Sequence, residues 1–92
     1  ENNQISLSPN PFNSSLFIKN LSGAGFKIDE ITVYNIVGKK IIKWRLLNQN
    51  NKKHSVLWDG KDEGGFEIES GLYFVRFKGP IKATTRKVTY LK

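Results

Sequence analysis

The chain has no cysteine, no methionine, one histidine, three prolines and only eight acidic residues among its 92. The absence of cysteine excludes disulfides, thiolate metal sites and a cysteine nucleophile, but by itself assigns no compartment. The single histidine, His54, lies in the polar run NNKKHS with no partner that the sequence identifies. No Gly-x-Ser-x-Gly, His-Glu-x-x-His or phosphate-loop motif occurs. No apolar stretch approaches the length of a membrane-spanning helix, so no membrane insertion is expected. These absences leave little chemistry to assign: no catalysis and no cofactor are expected.

What is present is a folding composition, 38% hydrophobic and 12% aromatic, with a net charge of +7. Ninety-two residues suffice for one modest core. The chain begins with Glu1 and shows no leader, so the expectation is one domain, residues 1–92, excised from a longer polypeptide. The basic balance favours anionic partners in general. Its plainer meaning is a solvated basic surface with no dedicated partner.

Turn-forming clusters recur about every ten residues: Pro9-Asn10-Pro11, Ser22 to Gly25, Gly38, Asn48 to Asn51, Gly60 to Gly65 and Gly79-Pro80. Between them lie short β-branched and aromatic runs. Strands are expected over residues 5–8, 16–20, 30–36, 40–46, 55–58, 72–78 and 86–91. No window sustains a capped helical period. The expected fold is all-β: a small antiparallel Ig-like β-sandwich of about seven strands.

Alternation assigns the faces. Ile42, Trp44 and Leu46 read as core, opposite Ile41, Lys43 and Arg45. Tyr73, Val75 and Phe77 read as core, opposite Leu72, Phe74, Arg76 and Lys78. Ile31 with Val33, Val56 with Trp58, and Val88 with Tyr90 complete the inner faces. Phe74 is the awkward residue, an aromatic on an outward face. The Pro9-Asn10-Pro11 segment makes a stiff, non-helical corner, and Phe12 plugs the end of the sandwich.

The stretch WDGKDEGGFEIESGLYFVRF holds five of the eight carboxylates and four of the eight glycines. Asp59, Asp62 and Glu63 are the candidate calcium ligands, but Lys61 stands where such a loop would place an oxygen. Two glycine turns explain the stretch better, with Asp59-Gly60 and Gly64-Gly65 as the turn dipeptides. Glu67 and Glu69 then alternate with Ile68 on a short strand, and the carboxylates face solvent. No metal is expected. The cations Lys43, Arg45, Arg76, Lys78, Arg86 and Lys87 would form one patch around Phe74 if their strands were neighbours. Such a patch resembles a single-strand nucleic-acid platform. An ordinary solvated sheet face looks the same and is preferred, so no nucleic-acid partner is expected.

In order along the chain, SPNPFNSS, ITVYNIVGKKI, HSVLWDGKDEGGFEIESGLYFVRF and RKVTYLK resemble one family. It is the C-terminal sorting domain (type A) of the type IX secretion system of Bacteroidetes, itself similar to the Ig-like module of flagellar hook-capping proteins. The matching positions are Pro9, Asn10 and Pro11; Tyr34, Asn35 and Gly38; and Trp58, Asp59 and Gly60. They continue with Gly71, Tyr73 and Arg76, and with Lys87 to Lys92. No piece is specific alone, but their joint order over about 85 residues is. The family often has Gly before His-Ser-Val, where this chain has Asn51-Lys52-Lys53.

The resemblance implies a secretion and sorting signal that directs an upstream cargo through the periplasm and across the outer membrane. The implied partners are the outer-membrane translocon, a surface sortase that removes the domain, and the cargo; the implied location is secreted or cell-surface. Gly71, Tyr73, Arg76, Lys87 and Lys92 are the candidate recognition residues, with Tyr73 mainly core. The alternatives are an accessory carbohydrate-binding module, with Phe66, Phe74 or Tyr90 on an exposed strip, and a structural spacer.

Overall fold

The computed structural model describes residues 5–21, 28–46, 53–80 and 82–92. The turns expected at Ser22 to Gly25 and Asn48 to Asn51 lie outside them, as does the side chain of His54. Seven strands follow in order: β1 Ile5–Ser8, β2 Leu16–Leu21, β3 Glu30–Tyr34, β4 Lys40–Arg45, β5 Lys53–Trp58, β6 Gly71–Lys78 and β7 Ala83–Tyr90. They form a three-stranded sheet, β1-β2-β5, and a four-stranded sheet, β4-β3-β6-β7, each antiparallel throughout. The neighbours β2–β5 and β3–β6 are distant in sequence, so the chain crosses repeatedly between sheets, as in Ig-like sandwiches.

The core lies where the inner faces meet. Ile5, Leu16, Ile18 and Trp58 enter from one sheet, and Ile31, Val33, Tyr73, Val75, Phe77, Val88 and Tyr90 from the other. Phe12 closes one end as the alternation and the proline corner require, 1% exposed. Its ring lies 5.3 Å from that of Trp58 and 4.8 Å from that of Tyr90, and Tyr73 meets Trp58 edge-on at 5.9 Å. Two of these aromatics carry polar atoms that need partners when buried. The Trp58 indole N–H donates to Lys61 C=O at 3.0 Å, and the Tyr73 hydroxyl donates to Glu69 C=O at 2.7 Å. The second is a tyrosine corner: a tyrosine near the start of a strand bonded to backbone just upstream. Burial, with lesser contributions from Glu69 and Tyr90, raises the Tyr73 pKa above its ordinary value.

Several expected boundaries and faces differ. β3 stops at Tyr34 because Asn35 begins the turn: its Oδ1 accepts the N–H groups of Val37 and Lys39. Gly38 completes that turn at φ +87°, a value that favours glycine. β4 carries a bulge: Val33 opposes Ile42 and Tyr34 opposes Lys40, so Ile41 is the extra residue between them, and both isoleucines pack against the core. Ile41 is thus not on the solvent face that strict alternation assigns to it. β7 begins three residues early, since Thr84 and Thr85 pair with Phe77 and Arg76. The short strand expected around Ile68 is a single bridge, Lys61 to Glu67. Tyr90, a candidate for an exposed aromatic strip, is buried, whereas Phe66 is exposed.

Candidate recognition surface

Directly opposed residues on antiparallel strands share a face. The four-stranded sheet therefore builds its outer surface from rows that run across all four strands. One row reads Lys40, Tyr34, Phe74, Lys87; the next Lys43, Thr32, Arg76, Thr85; the third Arg45, Glu30, Lys78, Ala83. Leu72 and Thr89 extend the aromatic end, beside the exposed turn that bears Ile36 and Val37. Six cationic side chains thus share one face with one carboxylate. That face carries five of the seven net positive charges of the molecule.

Glu30 sits among these cations. Its Oε1 is 3.2 Å from Lys43 Nζ and its Oε2 3.8 Å from Lys78 Nζ. The contact with Lys43 is the main cause of a pKa below the ordinary glutamate value of 4.5; the charges of Lys78 and Arg45 add to it, against a partial opposition from desolvation. Thr32 is 5% exposed although it faces outward. It lies in register between Lys43 and Arg76, whose long alkyl stems cover a small neighbour while their charged ends reach water. Phe74 is half-buried between Tyr34 and Lys87 in the same way.

Five of the six candidate patch cations are brought together; Arg86 is not. It opposes Val75 and so falls on the other face. Among the candidate recognition residues, Arg76 and Lys87 share the outer face on adjacent strands. Tyr73 is core, and Gly71 opens β6 opposite Tyr90. Lys92 lies apart: its N–H donates to Ser70 Oγ at 2.8 Å, and its Nζ is 3.9 Å from Glu67. Lys40 and Tyr34 belong to the surface but were missed. The bulge places Lys40 opposite Tyr34, and a period of two does not reveal it.

The motif residues have structural duties. Asn10 accepts the N–H of Thr89 at 3.1 Å and donates to Lys87 C=O at 3.4 Å, while Phe12 exchanges backbone bonds with Thr89 and Leu91. The Pro9-Asn10-Pro11-Phe12 segment, with both X–Pro bonds cis, therefore lies along the edge of β7. Gly60 has φ +76°, and a Cβ there would stand 3.1 Å from the Tyr90 ring. The three candidate calcium ligands serve three different partners. Asp59 is 3.9 Å from Lys61 Nζ, Asp62 Oδ1 accepts the N–H groups of Gly64 and Phe66, and Glu63 Oε2 accepts that of Lys43. Among the described residues no group of three or more His, Asp or Glu could hold a metal ion. Glu67 and Glu69 face solvent as expected, whereas Asp62 and Glu63 bond backbone.

Residues 6–90 match a family model described as the secretion system C-terminal sorting domain. No curated protein matches the chain significantly. A similar solved structure is PorZ of Porphyromonas gingivalis, described as an essential bacterial surface component of the type-IX secretion system. It aligns with a TM-score of 0.67 at 17% identity, covering 96% of this chain and 11% of PorZ. That likeness concerns the fold.

Proposed function

This chain belongs to the family of secretion system C-terminal sorting domains, the signals of type IX secretion, and we propose that it is recognised through the outer face of its four-stranded sheet, with Arg76 and Lys87 as contacts. Domains of this family belong to secreted or cell-surface proteins of Bacteroidetes and act with the type IX machinery on an upstream cargo. The family is not catalytic.

The cargo reaches the periplasm, the outer-membrane translocon reads the domain, and a surface sortase then removes it. The whole of residues 1–92 serves as one address. Gly71 and Tyr73 set the course of β6, and Arg76 and Lys87 meet the receptor. One observation supports this above others. Two cations from the two strands of the sequence pattern's end, Arg76 and Lys87, lie one register row apart on adjacent strands, on a face that carries most of the net charge. A fixed pattern of charge selects partners by complementary potential and by repulsion of wrong ones.

The test uses the full secreted protein with Arg76→Glu and Lys87→Glu together. Surface-exposed cargo falls roughly tenfold or more, since like charges across an interface cost several kcal/mol. The melting temperature of the variant stays near that of the parent. Normal surface display of the folded double variant would overturn the assignment of these contacts.

A further inference from the structure

The two lateral edges of the four-stranded sheet are finished differently. On β4, Glu63 closes the middle of the edge: its N–H donates to Ile41 C=O, and its carboxylate accepts the Lys43 N–H. On β7, Asn10 and Phe12 close the edge only from Lys87 C=O to Leu91 N–H. Thr89 turns both its N–H and its C=O toward that segment, away from β6. The β6–β7 ladder runs without a register shift, so the alternate residues Thr85 and Lys87 also direct their N–H groups outward. Among the described residues, nothing bonds the Thr85 N–H, the Thr85 C=O or the Lys87 N–H. Among the described residues, positions 83–87 are therefore an open strand edge.

Charge says what could fill it. From Gly71 to Lys92 the chain has six Lys and Arg and no Asp or Glu. A strand added beside β7 would meet Lys87 on the outer face, with Arg76 and Lys78 one strand further in, and Arg86 on the opposite face. A second copy of this chain would bring Arg86 and Lys87 against cations of the same kind, which repel.

We propose that residues 83–87 accept an extended acidic segment of a partner protein as a fifth strand of the sheet. This deepens the reading of the outer face as a recognition surface, on which it rests, by naming the chemistry of the partner. Backbone bonds to Thr85 and Lys87 hold the segment, and its carboxylates select this edge over other open edges.

Thr85→Pro in the full secreted protein removes one outward donor from a position where the ladder does not use it. Surface delivery falls about tenfold, the expected effect of leaving one partner carbonyl unpaired, while the melting temperature is kept. Normal delivery of folded Thr85→Pro overturns strand addition. If Arg76→Glu still blocks delivery in that case, the outer-face reading stands without it. Thr85→Glu lowers delivery more than Thr85→Lys does; equal effects of the two overturn the acidic character of the partner. Should Thr85→Pro fail to fold, amide exchange decides in the unaltered protein bound to outer membranes that carry the secretion machinery. The Thr85 and Lys87 amides exchange at least about tenfold more slowly there than in the free protein; unchanged exchange overturns the proposal.

Discussion

Single residues in this domain divide into those that shape and those that face outward, and the division does not follow polarity. Tyr73 and Asn10 are polar and occupy motif positions, yet their polar atoms are spent on backbone partners. Glu30 is the reverse, a carboxylate held on the outer face by Lys43 and Lys78. Its folded pKa lies below the ordinary 4.5, so its contribution to stability is present above the unfolded value and is lost as pH falls through the folded one. Thermal melts of Glu30→Gln and the parent across pH 2 to 7 should therefore converge in acid and separate toward neutrality, with the parent more stable. Curves that remain parallel over the whole range would show that Glu30 is not held by its neighbours.

At the scale of elements, β7 depends on a segment seventy-odd residues upstream, since Asn10 is bonded to Lys87 and Thr89 across 77 and 79 positions. Asn10→Ala removes both side-chain bonds and frees more of the β7 edge. It should cost about 1–2 kcal/mol, the usual net worth of such bonds. A denaturation midpoint shifted downward with an unchanged slope is the expected reading; an unshifted midpoint would mean that Phe12 alone secures the edge. Strand existence and type were legible from the alternation of β-branched and aromatic runs, because each strand buries one face. Boundaries were less so. Thr84 and Thr85 precede the visible pattern of β7, and only their pairing with β6 reveals them as strand. The β4 bulge was hidden for a related reason: Ile41 and Ile42 are both apolar, and only the opposed strand shows that they share a side.

For the whole molecule, β7 is both a candidate recognition strand and part of the core, so the two roles must be separated by substitution rather than truncation. Removing residues 86–92 takes Val88 and Tyr90 out of the core and the Tyr90 ring away from Phe12. Loss of a single large core side chain costs about 3–5 kcal/mol, much of the stability of a domain this size. The truncated chain should lose its cooperative thermal transition by circular dichroism; a sharp transition near that of the parent would show that the other six strands suffice. Failure of cargo delivery after that truncation reports unfolding together with any loss of recognition. Charge reversal at Arg76 and Lys87 leaves the core intact and isolates the second effect.

The sequence alone determined the all-β class, the two inner faces, the end plug at Phe12 and the family, because these rest on local alternation, turn chemistry and an ordered set of motifs. The tertiary structure decided which strands are neighbours. Lateral order in a sheet is set by the crossovers between sheets, and no local period encodes it. It placed β3 between β4 and β6, and so set Lys43 and Arg76 on either side of Thr32, 33 positions apart in the chain. It sent Arg86 to the other face and made Asp62 and Glu63 of the acidic stretch into backbone clamps, with Asp59 beside Lys61 Nζ. It also left one short length of β7 unpaired among the described residues, beside Arg76, Lys78 and Lys87.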